Sequence, residues 1–163
     1  MSRSPVRFGL VGFGAWGRFH AQSIAGNPGA RLAAITVPSE ASRAEAVRLH
    51  PGAEVFTDHR SMLAAGGIDI VDVVTPSHTH LAVATDALAA GCDVLLEKPM
   101  ALTIPDCQAI VRTARRHGRR LAVGHELVVR DDIAKDARWA EFRELALKQR
   151  LRACWSQTIV SAR

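Results

Sequence analysis

The feature that most constrains this chain is an apolar, strand-like segment that runs into three closely spaced glycines and then into a helix-like segment. Val6–Val11 is the strand-like segment, and Gly12, Gly14 and Gly17 follow it with the spacing GxGxxG. In such a turn the first glycine allows a tight bend, the second lets the backbone approach a pyrophosphate, and the third lets helix and strand pack closely. The amides that open the helix favour anions, although glycines also serve ordinary turns. The residues of this predicted dinucleotide cradle are Gly12, Phe13, Gly14, Ala15, Trp16 and Gly17.

Strand-like and helix-like segments alternate along the chain after this turn. Short apolar runs are bounded by turn-forming residues, and stretches of helix-forming residues separate them. Predicted strands cover residues 6–11, 32–37, 54–56, 68–75, 93–96 and 121–124, and predicted helices cover 15–25, 40–49, 60–65, 79–90 and 104–117. Because parallel strands need crossover connections, this order predicts an α/β fold, a doubly wound parallel sheet of the Rossmann type. A further helix is predicted over about 131–150 and a strand over 151–160.

The loops that follow the strands meet at one rim of such a sheet, and ligands bind there, beyond the carboxyl ends of the strands. The segments that share this rim are residues 12–17, 37–43, 75–80, 97–99 and 125–126. The arginines at the end of the helix before Gly118 lie at the opposite rim, so we do not expect them to contact a cofactor.

The end of the second predicted strand bears on the choice between NAD and NADP. A carboxylate that holds the ribose 2′-hydroxyl usually stands there, whereas this chain has Val37. Ser39 and Arg43, one helical turn apart, offer a hydroxyl and a guanidinium to a 2′-phosphate. Alternatively, Ser39 only caps the helix, Arg43 is a solvated surface residue, and Glu40 reaches the ribose or repels a phosphate. We expect NADP or NAD as the cofactor, with NADP favoured.

Lys98 lies at the rim directly after the fifth predicted strand, between Glu97 and Pro99. A lysine there can donate to a substrate oxygen and, if its pKa is lowered, transfer a proton near neutral pH. A surface lysine in a turn is the alternative. Pro99 restricts the backbone, and a cis Lys98–Pro99 bond would suit a tight turn.

Several histidines and one tryptophan also lie near the predicted site. His80 and His125 are at the rim, although His80 could simply pack within its helix. We interpret the side chains of His20 and Trp16, in the first helix, as packing or capping groups and not as catalysts.

Composition and charge exclude several classes of protein. With 163 residues, 48% hydrophobic and 23% charged, the chain resembles one soluble domain. No segment approaches the roughly 20 uninterrupted apolar residues that cross a bilayer, and the N-terminus leads straight into a strand, so we expect a cytoplasmic protein without membrane contact. The net charge of +5 comes largely from arginines at a helix end without interleaved aromatics, which argues against nucleic-acid binding. Cys92, Cys107 and Cys154 lack metal-site spacing and are expected to be free thiols, with no bound metal.

Four segments together resemble a known family. They are the stretch from Gly12 to His20, then Thr75-Pro76 with His80, then Ala90 to Pro99, and finally Val123-Gly124-His125. In order and spacing they resemble the N-terminal half of the glucose-fructose oxidoreductase and inositol 2-dehydrogenase (Gfo/Idh/MocA) family, from Val6 to about Glu126.

The resemblance implies a Rossmann domain that binds NAD or NADP. It implies that Lys98 is the catalytic lysine and that Glu97 lies near the nicotinamide ribose. It also implies that Thr75, Pro76 and His80 line the cofactor. Members of the family carry a second domain that holds the substrate and supplies an Asp and a His, and this chain lacks a matching segment.

We therefore expect residues 1–126 to be the NAD(P)-binding domain and residues 127–163 to be a crossover helix and the start of a truncated C-terminal region. The leading hypothesis is an NAD(P)-dependent oxidoreductase that transfers a hydride to or from a sugar or polyol, in a truncated chain that binds substrate only if a C-terminal domain is supplied. The alternative is a non-catalytic dinucleotide-binding module or an inactive gene fragment. Residues 147–163 could leave an exposed edge for self-association.

Overall fold

The order in which successive strands are added to the sheet reverses at its centre. The computed structural model describes residues 4–124, and its strand order is β3-β2-β1-β4-β5-β6. The strands are β1 (Val6–Val11), β2 (Ala30–Thr36), β3 (Glu54–Phe56), β4 (Ile70–Val73), β5 (Asp93–Glu97) and β6 (Leu121–Gly124). The pairs β1–β2, β1–β4, β2–β3 and β4–β5 all run parallel. The prediction of a doubly wound parallel sheet is confirmed, and the order reverses between β1 and β4.

Helices connect these strands, as crossovers between parallel neighbours require. They are α1 (Ala15–Ala25), α2 (Glu40–Leu49), α3 (His59–Ala65), α4 (His80–Ala89) and α5 (Ile104–Arg116), with a short 3-10 turn, Ser77–Thr79, before α4. Among residues 4–124, none of the helices is long and apolar enough to cross a membrane. The predicted elements at 131–150 and 151–160, the predicted region 127–163, and the rim residues 125–126 lie outside the described residues.

Helix boundaries follow local chemistry in part. The Asp58 side chain accepts a hydrogen bond from the Ser61 amide at 3.0 Å and caps α3. Ser39 occupies the predicted N-cap position of α2, but its hydroxyl makes no capping hydrogen bond. The Ser39 hydroxyl is thus not committed to the helix.

β4 is shorter than predicted, because the apolar sequence continues past the last residue that pairs with the neighbouring strands. Val74 and Thr75 follow the last residue of β4 and form the floor beneath the glycine turn, where the Val74 amide donates to the Val11 carbonyl at 2.8 Å. Val74 and Thr75 pack closely at the rim, and this packing favours the same apolar and β-branched residues as the strand does.

Two apolar cores hold the sheet, and one of them anchors the glycine turn. The first core joins β4, β5 and β6 to α4 and α5, and the second joins β1 and β2 to α1 and α2. Phe13, from the glycine turn itself, is 1% exposed in the second core beside Leu10 and Ile35. Burying a Phe side chain stabilises the fold by about 1.5–3 kcal/mol, so the turn is fixed from below by its own second residue.

Candidate functional site

In the glycine turn at the carboxyl end of β1, two glycines have no room for a side chain and one glycine does. A Cβ added to Gly12, which has φ +103°, would lie 2.3 Å from the Val74 carbonyl oxygen, and a Cβ at Gly17 would lie 2.2 Å from the Gly12 carbonyl oxygen. A Cβ at Gly14 would meet nothing within 4 Å. Two of the glycines are therefore required by the chain's own packing, and the third leaves space above the backbone.

The start of α1 suits an anion. Gly14 is its N-cap residue, no side chain caps the helix, and no acidic residue occupies its first turn. The first amides of a helix lack intrahelical acceptors and carry the positive end of the helix dipole. Uncapped amides beside the open space at Gly14 fit the pyrophosphate of a dinucleotide, which is the arrangement that the GxGxxG spacing predicts.

A cavity of about 450 Å³ lies next to the turn, at the carboxyl ends of β1, β2 and β4. Gly12, Thr36, Pro38, Thr75 and Thr79 contribute to its wall. The Thr79 hydroxyl donates to the Thr75 hydroxyl oxygen at 2.7 Å and ties the loop after β4 to the following turn. The switch point of the sheet thus carries a concave surface where this fold places its ligands.

The loop after β2 places a guanidinium beside this cavity. Val37 is buried at 5% exposure, and Arg43 donates to the carbonyl oxygen of Pro38, which lines the cavity. Ser39 and Glu40 are exposed at the start of α2. The predicted polar residues Ser39, Glu40 and Arg43 therefore lie around this part of the rim. Val37 is buried and presents no side chain there.

Asp58 is a charged group at the cavity that is not among the candidate site residues predicted from the sequence. It lines the cavity at the end of β3, and its hydrogen bond from the Ser61 hydroxyl lowers the pKa of its carboxyl group. The wall of the cavity thus carries a negative charge at neutral pH. Distance along the sequence from the other rim segments hid this role.

His80 is a link between two loops. Its ring has 0% exposure, Nε2 lies 2.8 Å from the Thr75 carbonyl oxygen, and Nδ1 lies 2.9 Å from the Pro99 carbonyl oxygen. The two loops come from β4 and β5. This placement favours the interpretation of His80 as a packed residue, because no atom of the ring is free to touch a ligand. Pro76, in contrast, is exposed at the rim.

The turn after β5 presents Lys98. Lys98 and Pro99 are exposed, their peptide bond is cis, and the Glu97 carboxylate accepts a hydrogen bond from the Lys98 amide at 3.2 Å. The side chain of Glu97 is 14% exposed. The lysine therefore projects from a turn whose backbone is held by its own preceding carboxylate.

His20 of α1 joins this turn to the centre of the sheet, a contact that the sequence interpretation missed. Its Nδ1 lies 2.8 Å from Asp72 Oδ2, and its Nε2 lies 3.4 Å from Glu97 Oε1. The hydrogen bond with Asp72 is the main cause that raises the pKa of His20. A lone Asp in an apolar strand and a His one turn into α1 were the available signals.

Ala15 and Trp16 are exposed, but Trp16 faces away from the cavity described above. Its indole is 43% exposed and meets the Phe19 ring edge-on, with 5.7 Å between ring centroids. It lies in a second groove with Phe19, His20 and Asp72. The Trp16 side chain therefore lies in this second groove, while its backbone is part of the glycine turn.

Comparison with known proteins decides the family. The model of the Gfo/Idh/MocA group, described as "Oxidoreductase family, NAD-binding Rossmann fold", matches residues 6–125. The chain belongs to this family. Its NAD-binding Rossmann fold and its place among the oxidoreductases, predicted from sequence, are confirmed.

Named members of the family show how much of them the chain covers. The chain is 40% identical over 119 residues to inositol 2-dehydrogenase 1 of Saccharopolyspora erythraea, covering 71% of this chain and 35% of that protein. Apo scyllo-inositol dehydrogenase from Lactobacillus casei superposes with a TM-score of 0.72 at 32% identity, over 76% of this chain and 38% of that one. The WlbA dehydrogenase from Chromobacterium violaceum, solved with NADH and UDP-GlcNAcA, gives a TM-score of 0.72 at 30% identity, over 76% and 36%. The chain thus spans between a third and two fifths of the length of these relatives.

Proposed function

We propose that this chain binds NAD or NADP across the rim formed by the loops after β1, β2, β4 and β5. The observation that carries the proposal is the open backbone at Gly14 beside the uncapped start of α1. The amides of the segment from Gly12 to Gly17 would bind the pyrophosphate, with Phe13 contributing only its backbone. Thr75 and Pro76 would line the cofactor, and His80 would hold their loop in place.

Within a complete family member, Lys98 would assist proton transfer at the substrate oxygen. A bound nicotinamide supplies the hydride acceptor or donor. Lys98 is exposed at the same rim as the open glycine, and Glu97 fixes its amide, so the chain can present a proton-transferring group to a hydroxyl or carbonyl oxygen. The names of the relatives support a sugar or polyol as substrate. Binding of that substrate would require the domain that the relatives have beyond the matched region.

We also propose that NADP is accepted and favoured. Buried Val37 presents no carboxylate to the ribose, the Ser39 hydroxyl makes no capping bond, and Arg43 lies against Pro38 at the cavity wall. Glu40 and Asp58 oppose this preference with negative charge. Titration with NADPH and NADH under the same conditions measures the balance, and tighter binding of NADH would contradict the preference.

A pair of glycine substitutions tests the binding site. Gly14→Ala places a methyl group in open space at an ordinary φ of −74°, so we expect normal folding and about tenfold weaker NADPH binding, equivalent to ~1.4 kcal/mol. Gly52→Ala is the matched control, since a Cβ at Gly52 also meets nothing within 4 Å. Unchanged affinity in Gly14→Ala would refute the proposed path of the pyrophosphate.

The alternative function is dinucleotide binding without catalysis. Joining the chain to the C-terminal domain of a relative and incubating the fusion with NADP⁺ and a polyol distinguishes the two. Cofactor binding without formation of reduced nicotinamide supports the binding module, and turnover that Lys98→Ala abolishes supports the enzyme.

A further inference from the structure

Three ionisable side chains from three different elements form a row that ends at Lys98. Asp72 lies in β4, His20 in α1 and Glu97 at the end of β5. The ring of His20 lies between the two carboxylates, 2.8 Å from Asp72 Oδ2 on one side and 3.4 Å from Glu97 Oε1 on the other. Glu97 Oε2 in turn accepts the Lys98 amide. The row therefore connects the middle of the sheet to the backbone of the turn that presents Lys98.

The Asp72 end of the row is buried and fixes the ring. Asp72 is 1% exposed, and its Oδ1 has no hydrogen-bond partner among residues 4–124. Burial raises the pKa of Asp72, and the hydrogen bond to Asp72 raises the pKa of His20. A proton is thus held between Asp72 and Nδ1 of His20. A carboxylate on one nitrogen of a histidine fixes the orientation of the ring, and the other nitrogen has a proton to donate when the ring is the imidazolium cation.

At the other end of the row, the protonation of His20 acts on the Glu97 carboxylate. With Nδ1 engaged by Asp72, Nε2 faces Glu97 Oε1 at a distance longer than an ordinary hydrogen bond, and it carries a proton when the ring is charged. The attraction acts on a side chain that is 14% exposed and therefore weakly screened. Asp72 and Glu97 are the charged groups that shift the pKa of His20 among the described residues.

We propose that Asp72 and His20 are positioning residues that hold the Glu97 carboxylate where it accepts the Lys98 amide, so that the protonation of His20 is communicated to the Lys98 turn. The role assigned to Lys98 rests on the proposed function. The row itself rests only on geometry.

Nuclear magnetic resonance of the full 163-residue chain tests the coupling. The His20 ring and the Lys98 amide are followed from pH 5 to pH 9, and we expect both to change with the same midpoint. Asp72→Asn removes the opposite charge, and we expect the His20 midpoint to fall by about one pH unit or more. His20→Gln keeps an uncharged donor near Glu97, and we expect the Lys98 amide to lose its response at that midpoint.

A second histidine–aspartate pair supplies the matched control. His59 Nε2 also lies 2.8 Å from an aspartate oxygen, Asp86 Oδ2, but within residues 4–124 no hydrogen bond or ion pair joins either residue to the Lys98 turn. His59→Gln should leave the response of the Lys98 amide unchanged. If it removes the response as His20→Gln does, or if the Lys98 amide never shares the His20 midpoint, the proposal is wrong.

The design separates this proposal from the proposed function and from a failure to fold. If Asp72→Asn does not fold, His20→Gln and Glu97→Gln decide the result, since both change side chains that are partly exposed. NADPH binding is measured on the wild-type sample. If the wild-type chain does not bind NADPH, the proposed function is refuted, and the coupling between His20 and the Lys98 amide can still be measured. A wild type that binds but shows no shared midpoint refutes only the positioning role.

Discussion

The structure separates the three glycines of the turn into two that the fold requires and one that its packing leaves open, and Gly17→Ala tests this division most directly. Alanine at Gly17 would gain at most about 1 kcal/mol from its higher helix propensity. Its Cβ, however, would lie 2.2 Å from the Gly12 carbonyl oxygen, which is backbone and cannot rotate away. Overpacking costs about 1–3 kcal/mol, and a clash with fixed backbone at this distance falls at the upper end, about 3 kcal/mol. The steric term prevails, and we expect a net loss of about 2 kcal/mol of unfolding free energy.

Urea unfolding followed by far-ultraviolet circular dichroism measures this loss. For a chain of this size, ~2 kcal/mol corresponds to a melting temperature lower by about 4–8 °C. Gly14→Ala is the control, because its Cβ meets nothing within 4 Å, and its stability should stay within about 0.5 kcal/mol of wild type. If Gly17→Ala proves as stable as Gly14→Ala, the division of the glycines is wrong.

Three further changes test the loops of the site, an ion pair at the opposite edge of the sheet, and the cofactor preference. His80→Leu removes a ring that lies within hydrogen-bond distance of two backbone carbonyls and donates to at least one of them, and we expect urea unfolding to show a loss of about 1–3 kcal/mol. The ion pair with Arg7 lowers the pKa of Asp69 to about 2, so its stabilisation is present above pH 4 and is lost as pH falls toward 2. Asp69→Asn should flatten the stability profile in that range. Arg43→Gln should weaken NADPH binding about tenfold and leave NADH binding unchanged.

A specific result would contradict each of these three predictions. A His80→Leu chain of wild-type stability would mean that the carbonyls find other donors. The Asp69 pair is 48% and 42% exposed, so its effect should shrink in high salt, and an effect that salt leaves intact would contradict a screened surface pair. Equal losses for NADPH and NADH in Arg43→Gln would assign Arg43 to the fold and not to the 2′-phosphate.

Most secondary structure was predictable because its signals are local. β1 and α1 match the predicted bounds, Val6–Val11 and Ala15–Ala25, because glycines close to both elements end them sharply. The bounds of β4 were predicted too long, because packing under the glycine turn selects the same apolar residues as the ladder. A short sequence window cannot distinguish these two uses of an apolar side chain.

The candidate site was predictable in outline but not in its contacts. The carboxyl ends of parallel strands share a rim, so the alternation of strands and helices alone brought Gly14 and Lys98 to the same edge. The partners of His20 could not be read in the same way, because Asp72 is 52 residues away in the chain. Only the register of β4 against β1 brings Asp72 next to α1.

The sequence by itself determined the class of fold, the family and the rim where a dinucleotide would bind. These depend on hydrophobic periodicity and on glycine spacing, which act over a few residues. The tertiary structure decided what each side chain does at that rim. It buried Phe13 in the core, turned Trp16 toward a different groove and enclosed His80 between two carbonyls. Those outcomes depend on which distant surfaces pack together, and that is set by the whole sheet and not by any one segment.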